Sequence, residues 1–280
     1  MDPLNIQKTE LHVGAKIGFE FVSDVDAITD RFVDDFFAEF AAAKKAGRDK
    51  VVFILPVGPV GQYDIIAQKC NRENISLCDL VVINMDEYLV SETGGFISND
   101  DPLSFHRHME DHFYGLLDPA LAPPENQRIF PDPHDIENVP AALRHDGGTD
   151  VCFGGIGITG HVAFNDPPEP GEHYSVEEFA NLPSRVVRLS RESRLINSVT
   201  TSGGNVDRIP EYAVTVGMKE ILESRKVRIY MNRPWQAAMV RKILHGPIVA
   251  QVPASLLQTH PDVYFVISDI VGELPQPQLR

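Results

Sequence analysis

Six short apolar runs, rich in β-branched residues, are the feature that most limits what this chain can fold into. Each run has the length of a strand and is apolar almost throughout, as are strands buried on both faces of a sheet. Helical patterns of apolar side chains separate many of them. Strands that alternate with helices predict an α/β fold with a largely parallel sheet and crossover helices. The six runs are VVFILPV (51–57), LVVIN (80–84), VCFGG (151–155), RVVRL (185–189), VRIYM (227–231) and VYFVIS (263–268).

The predicted helices span residues 24–45, 105–117, 215–224 and 235–244. The chain has 280 residues, a length that suits one large α/β domain or two small ones. The proline-rich stretch 120–140 is predicted to be a surface connection, and no internal repeat divides the sequence. We therefore expect a single domain over residues 1–280.

The charge balance narrows the class of partner. The net charge is −15, and lysine and arginine form no basic cluster of the kind that binds nucleic acid. The same charge disfavours an anionic membrane, and no apolar run approaches the length of a membrane span. A small anionic substrate stays compatible, because a local site can oppose the overall sign. Three cysteines without a CxxC pair, and no signal peptide pattern, predict a cytoplasmic protein.

In open α/β sheets, ligands bind beyond the carboxyl ends of the strands, so the residues after each predicted strand are the candidates for chemistry. The first strand is followed by Val57 and Gly58 in the run LPVGPVG, which leads into a helix at Gln62. A glycine-containing turn at a helix N-terminus can hold an anion. However, the run has no Ser, Thr or Lys, and Pro59 has no N–H to donate. The run is either an anion cradle or only a tight turn.

Two adjacent carboxylates, Asp86 and Glu87, follow the second strand. In an extended chain their side chains point in opposite directions. One is then free to face a cleft while the other anchors the structure. Either is a candidate general base if it is partly desolvated. The alternative interpretation is a helix cap or exposed turn charges.

The third strand leads into CFGGIGITGHVAFNDPP (152–168), which places one histidine among glycines. Gly157 and Gly160 permit a close approach of ligand or backbone. His161 can accept or donate a proton near neutral pH, and Asp166 follows within reach. Thr159 stands two residues before the histidine. A structural role for His161 is the alternative.

Other polar residues are candidates for binding a metal ion or an anion. His106, His108 and His112 lack the arrangement of a zinc protease helix, so we interpret them as a solvated helix face. Arg194 is suited to a phosphate or carboxylate contact, or belongs to a surface basic cluster.

In combination, these segments resemble the glucosamine-6-phosphate deaminase (isomerase) family. The similar segments are NMDEY, GGIGITGHVAFN, SRLINS, AVTVGMKEIL and SLLQTHPDVYFVISD, and the similarity runs from about residue 51 to residue 269. The resemblance implies a Rossmann-like α/β fold, with a largely parallel sheet and helices on both faces. Members of this family open the ring of a 6-phosphorylated amino sugar, move a proton from C2 to C1 and release ammonia. It implies no metal or organic cofactor, and it implies a homo-oligomer.

Residue roles follow from the resemblance by position. Asp86 resembles the base that takes the C2 proton, and Glu87 resembles its structural neighbour. His161 resembles the imidazole that helps to open the ring. Asp166 stands where the family usually has a glutamate, and Arg194 resembles a phosphate-binding arginine.

Three departures from the family pattern suggest an altered substrate site. Thr159 replaces an aspartate that resembles an orienting acid for the histidine. The run LPVGPVG is shorter than the family's phosphate loop and lacks its hydroxyls. A phosphate-contacting lysine is matched here by Gln236, with Arg233 as a substitute three residues earlier.

Three functions therefore stay open from the sequence. The first is an aldose–ketose isomerase or deaminase of an amino sugar or its phosphate. The second is a sugar hydrolase of the 6-phosphogluconolactonase type. The third is a non-catalytic sugar-binding protein, which Thr159 and the altered loop would favour.

Overall fold

The central sheet of the protein is parallel and seven-stranded. The computed structural model describes residues 2–276, so residues 1 and 277–280 of the predicted domain lie outside the described part. Two sheets contain the strands β1 (Gly18–Val22), β2 (Val51–Leu55), β3 (Leu80–Asn84), β4 (Asp86–Leu89), β5 (Arg128–Ile129), β6 (Val151–Gly154), β7 (Arg185–Arg188), β8 (Tyr212–Thr215), β9 (Lys226–Met231) and β10 (Val263–Ser268). The central sheet has the order β1-β10-β9-β6-β2-β3-β5, and every neighbouring pair is parallel.

Helices cover both faces of this sheet, which confirms the predicted α/β class. Alternate residues of a strand face opposite sides, so Val52 and Ile54 join one core while Phe53 joins the other. Phe32 of the first helix packs in the core with Phe53. The α-helices are α1 (Val25–Lys45), α2 (Gln62–Glu73), α3 (Phe105–His112), α4 (Asn138–His145), α5 (Val176–Ala180), α6 (Arg191–Thr201), α7 (Met218–Leu222), α8 (Ala237–His245) and α9 (Asp269–Gly272).

A second, three-stranded sheet has the order β4-β8-β7 and is antiparallel. Residues 185–189 were expected among the buried parallel strands, and that placement is wrong. Arg185–Arg188 form β7 at an edge of the small sheet, where all four residues keep some exposure. Such an edge strand is covered on one face only. The predicted strand is therefore present, but Arg194 does not follow a strand of the parallel sheet.

The strand order reverses between β2 and β6. From β2 the chain adds β3 and β5 on one side, whereas β6 is followed by β9 and β10 on the other. Such a switch point opens a crevice at the carboxyl ends of the two strands. The loops after β2 and β6 flank this crevice. No helix between residues 2 and 276 is both long and apolar enough to cross a membrane.

Candidate active site

Asp86 lies beside the crevice at the start of β4. The preceding residue, Met85, donates its backbone N–H to the carbonyl oxygen of Leu55 at the end of β2 (2.9 Å). This bond holds Asp86 next to the loop that follows β2. Asp86 is 9% exposed, and within residues 2–276 no hydrogen-bond partner of its carboxylate is found. Burial, and then the nearby charge of Glu87, raise the pKa of Asp86 to about 8.

Glu87 is fully buried on the other side of β4 and anchors the strand. Its Oε1 accepts a hydrogen bond from the backbone N–H of Tyr88 (2.7 Å). Its Oε2 accepts from the hydroxyl of Ser104 (3.1 Å) and from the backbone N–H of His106 (2.8 Å), and lies 2.8 Å from the Nδ1 of His106. The two adjacent carboxylates therefore have opposite surroundings, as the extended chain predicts.

The three histidines of α3 are half-buried. His106 contacts Glu87 and stacks on Phe130, with ring centroids 3.5 Å apart. The rings of His108 and His112 lie 4.5 Å apart, and His112 is 3.2 Å from Asp64. The solvated-face interpretation is wrong for His106, because α3 packs against β4 there. The His112 side chain is 45% exposed and does face solvent in part. Among residues 2–276 no group of three or more acidic, histidine or cysteine side chains is placed to hold a metal ion.

The glycines of the loop after β6 make room for the imidazole of His161. A Cβ on Gly157 would stand 1.8 Å from the Nε2 of His161, so only glycine leaves space for the ring. The N–H of Gly157 donates to the carbonyl oxygen of His161 (2.9 Å), and the N–H of Gly160 donates to that of Gly157 (3.0 Å). Gly160 has a φ of +84°, which favours glycine. The loop therefore folds back on itself with the histidine against its own backbone.

The Nδ1 atom of His161 faces a cluster of oxygens. It lies 2.8 Å from Oδ1 of Asp166, 2.9 Å from the hydroxyl of Thr159 and 3.1 Å from the hydroxyl of Ser193. Both hydroxyls donate to the same Oδ1 of Asp166, from 2.8 Å for Thr159 and 2.7 Å for Ser193. The backbone N–H of Ser190 donates to Oδ2 (3.0 Å). Asp166 therefore supplies the negative charge that Thr159 lacks.

The carboxylate of Asp166 stays ionised despite its surroundings. Burial acts to raise the pKa of Asp166, but the hydrogen bond and charge of His161, together with the bonds from Ser193 and Ser190, outweigh burial. The pKa is held well below its usual range. The oxygen nearest to Nδ1 of His161 therefore belongs to an ionised carboxylate, which can only accept a hydrogen bond.

Hydrogen bonds tie this loop to the strand pair that carries Asp86. The N–H of Phe164 donates to the hydroxyl of Thr215 (3.0 Å), and Thr215 pairs with Asp86 across the small sheet. The side-chain amide of Asn165 donates to the carbonyl oxygen of Val216 (2.9 Å), whose own N–H donates to that of Met85 (2.8 Å). The fold thereby brings Asp86 and the His161 loop to the same crevice.

The loop after β2 forms a turn into α2 at the same edge. Gly61 caps α2 with a φ of +100° and offers no side chain to the helix N-terminus. The Nε2 of Gln62 donates to the carbonyl oxygen of Val57 (3.0 Å), while its Oε1 is buried without a partner among the described residues. Gly58 is exposed. No side-chain hydroxyl or cation of this loop is available to an anion.

The residues predicted for the far end of a substrate differ in availability. Gln236 is buried and bonded at both ends, since its Oε1 accepts from the N–H of Arg233 and its Nε2 donates to the carbonyl oxygen of Ile156. Arg233 is exposed and has no ion pair within residues 2–276. Arg194 lies 3.2 Å from a carboxylate oxygen of Glu211 and donates to the carbonyl oxygen of Ile209 (3.2 Å). The amide of Gln236 thus links the backbone of Arg233 to that of Ile156. The charge of Arg194 is partly neutralised by Glu211.

Similar proteins of known sequence share one name. The chain is 29% identical over 215 residues to glucosamine-6-phosphate deaminase 1 of Bacillus subtilis, covering 75% of this chain and 80% of that protein. It is 26% identical over 246 residues to a glucosamine-6-phosphate deaminase of Clostridium acetobutylicum, covering 85% and 94%. No family model matches the chain.

Solved structures agree on the fold. A monomeric glucosamine-6-phosphate deaminase, described as a missing link of the NagB superfamily, superposes with a TM-score of 0.67 at 26% identity, covering 91% of this chain and 98% of that chain. A 6-phosphogluconolactonase of Thermotoga maritima superposes with a TM-score of 0.64 at 14% identity, covering 90% and 100%. The second likeness concerns the fold alone.

Proposed function

Since the chain is a divergent relative of the glucosamine-6-phosphate deaminase/isomerase family, we propose that it is an amino-sugar aldose–ketose isomerase and deaminase. The reference reaction converts glucosamine 6-phosphate and water into fructose 6-phosphate and ammonia. The observation that carries the proposal is Asp86, a desolvated carboxylate that has no protein partner among the described residues and pairs with Thr215, to which the loop of the His161–Asp166 pair is bonded.

The first step is ring opening at His161. The Nε2 of the neutral ring accepts the proton of the sugar's C1 hydroxyl and returns a proton to the ring oxygen, which breaks the bond between that oxygen and C1. A positive charge on the imidazole is balanced during the transfer by Asp166 at Nδ1, 2.8 Å away. The open aldehyde then makes the C2 proton acidic.

The second step is proton transfer at Asp86. The ionised carboxylate takes the C2 proton, and O1 gains the proton that the substrate's ammonium group releases, so that a neutral enolamine forms. The proton held by Asp86 is then delivered to C1 as the nitrogen lone pair forms the C2=N bond. A carboxylate whose pKa is raised to about 8 is a stronger base than an ordinary aspartate, while a fraction stays ionised near neutral pH. Water then adds at C2 of the resulting imine, and ammonia leaves with formation of the ketose.

The residues predicted to hold the substrate's far end match the family pattern less well than Asp86 and His161 do. The loop from Val57 lacks hydroxyls, Gln236 is engaged with backbone, and Arg194 is paired with Glu211. Of the residues predicted to bind the phosphate, Arg233 is the exposed cation, and it has no ion pair within residues 2–276. We therefore propose the amino sugar as the substrate class and treat its phosphate group as a separate question, which the same experiment answers.

The test is to incubate the purified protein in deuterated water with glucosamine 6-phosphate and, in parallel, with unphosphorylated glucosamine. Released ammonia, ketose and deuterium incorporated from solvent are measured, with Asp86→Asn as the negative control. Turnover of the phosphate ester supports the family reaction. Turnover of the free sugar alone means that the altered loop accompanies a changed substrate.

Two outcomes would overturn the proposal. Hydrolysis of 6-phosphogluconolactone without ammonia release would indicate the lactonase alternative. Sugar-dependent thermal stabilisation without turnover or isotope exchange would indicate a binding protein.

Oligomeric state and cellular location stay predictions. The family resemblance predicts a homo-oligomer, although the relative of known structure is described as monomeric. Sedimentation velocity of the purified chain measures this directly. The cytoplasmic location predicted from the cysteine content is tested by fractionation of the source cells.

A further inference from the structure

Ser193 meets the catalytic loop from a distant part of the chain. It lies on the first turn of α6, is fully buried, and places its hydroxyl 2.7 Å from Oδ1 of Asp166 and 3.1 Å from Nδ1 of His161. The hydroxyl of Thr159, in the loop after β6, makes the same two contacts, 2.8 Å to Oδ1 of Asp166 and 2.9 Å to Nδ1 of His161. Two hydroxyls therefore flank the contact between the carboxylate and the imidazole.

The placement of hydrogens in this cluster has one consistent solution. Each hydroxyl has a single proton, and each donates it to the carboxylate oxygen, which can only accept. Both hydroxyls then face Nδ1 with lone pairs, as does Oδ1 itself. An unprotonated Nδ1 would confront three oxygen lone pairs with no proton between them. Nδ1 must therefore carry the proton, and Nε2 is left unprotonated in the neutral ring.

We propose that Ser193 is a positioning residue that, together with Thr159, fixes His161 in the Nδ1–H tautomer by holding Oδ1 of Asp166 against the ring. The catalytic consequence rests on the function proposed above, whereas the tautomer is a property of the protein alone. Ser193 acts through Asp166 and is not expected to touch the substrate.

The start of α6 makes Ser193 a rigid support. The N–H of Ser193 donates to the hydroxyl of Ser190, the N-cap residue (3.1 Å). The N–H of Ser190 in turn donates to Oδ2 of Asp166. One helix turn thus holds both oxygens of the carboxylate, so Asp166 cannot rotate away from the imidazole without breaking two hydrogen bonds. These two hydrogen bonds hold the side chain of Asp166, which is shorter than that of a glutamate, next to the imidazole.

The direct test is ¹⁵N–¹H correlation spectroscopy of the imidazole rings in the full chain with ¹⁵N-labelled histidine. His161→Gln assigns the signals of His161. The wild-type ring is expected as a single Nδ1–H tautomer in its neutral form. A ring protonated at Nε2, or an equal mixture of tautomers, in the wild-type protein would overturn the proposal.

Variants test the part played by Ser193. In Ser193→Ala the other tautomer is expected to become detectable, and kcat is expected to fall about tenfold with KM changed less than about twofold, the size of one hydrogen bond to a charged group. Ser198→Ala is the matched control, because Ser198 is a buried serine of the same helix whose hydroxyl, within residues 2–276, binds only the carbonyl oxygen of Leu195. An unchanged tautomer population and kcat in Ser193→Ala would reject the role.

The spectroscopic result does not depend on turnover. A protein that fails on every sugar tested but shows the Nδ1–H tautomer retains the inference and loses the proposed function. A protein that turns over substrate with the opposite tautomer retains the function and loses the inference.

Discussion

At the scale of single residues, the difference between Asp86 and Glu87 comes from strand geometry. The two carboxylates are neighbours in an extended segment, so one faces the crevice and the other faces Ser104 and His106. Glu87 has four hydrogen-bonding contacts, whereas none is found for the carboxylate of Asp86 within the described residues. The residue with unsatisfied chemistry is therefore the one we assign to proton transfer.

Asp86→Asn is expected to lower turnover and C2 isotope exchange by about a thousandfold, because the amide cannot accept the proton. Sugar binding should persist, since the two side chains have almost the same shape. Glu87→Gln is the comparison: it should chiefly lower thermal stability, because it sets an amide N–H₂ against buried donors. Exchange that survives in Asp86→Asn would remove Asp86 from the mechanism.

The raised pKa of Asp86 predicts a specific dependence of stability on pH. The folded protein holds this proton up to about pH 8, whereas the unfolded chain releases it near 4. Between these values the folded state binds more protons, so its stability falls as pH rises. Urea unfolding at pH 5, 7 and 9 should show Asp86→Asn gaining at least about 1 kcal/mol on the wild type across this range. A constant difference would contradict the raised pKa.

The rate should depend on pH with the opposite sign. Asp86 acts as a base only when ionised, so kcat/KM, which reports the free enzyme, is expected to rise with pH through a limb near 8. Rate profiles measured with and without deuterium at C2 separate this limb from that of ring opening.

At the scale of elements, the backbone of the loop after β6 leaves space for one side chain, the imidazole of His161. Gly157 lies under the imidazole, and Gly160 turns the chain with a positive φ. The hydrogen bonds of Phe164 and Asn165 then attach the loop to β8 and the residue after it. The backbone of this loop and its attachment to β8 therefore set where His161 lies.

Gly157→Ala is expected to lower kcat about a hundredfold, because its Cβ would overlap the ring and displace His161. Gly155→Ala in the same loop is the matched control, since its Cβ would lie 3.5 Å from the nearest atom, an ordinary contact. Steady-state kinetics and thermal melts of the two variants make the comparison. Equal activity in both would show that the ring position is not critical.

Restoring an aspartate at position 159 is expected to impair this protein. The hydroxyl of Thr159 lies 2.8 Å from Oδ1 of Asp166, so Thr159→Asp would bring two carboxylates into contact and raise the pKa of one. We expect at least about a tenfold loss of kcat at pH 7. Thr159→Ser, which keeps the hydroxyl, is the control. A gain of activity in Thr159→Asp would mean that Asp166 does not replace the missing acid.

At the scale of the whole molecule, one buried cation joins the two ends of the described chain. Arg241 on α8 is fully buried and donates to the carbonyl oxygens of Ile6, Ala237, Gly272 and Glu273. This side chain holds the N-terminal segment and α9 against the sheet. It is remote in sequence from Asp86, His161 and Asp166.

Arg241→Met is expected to lower the free energy of unfolding by about 3 kcal/mol, because it leaves several buried carbonyl oxygens without donors. Turnover at 20–25 °C, well below the melting temperature, should stay within about twofold of the wild type. Lys242→Met, at the neighbouring and partly exposed position, controls for the loss of a charge. A melting temperature equal to that of the control would reject the anchoring role.

The sequence alone determined the parallel α/β class and the two core-facing sides of the strands, because hydrophobic periodicity is a local property. Loop motifs, which are local too, predict Asp86, His161 and Asp166 as site residues, and that assignment stays a prediction. Tertiary structure decided the rest. The edge strand β7 belongs to the small antiparallel sheet. His106 contacts the buried Glu87, and Gln236 is hydrogen-bonded to backbone at both ends of its amide. Ser193 reached His161 over 32 positions, since α6 and the loop after β6 meet only when the two sheets pack. No spacing rule predicts such a contact, because it depends on where whole elements come together.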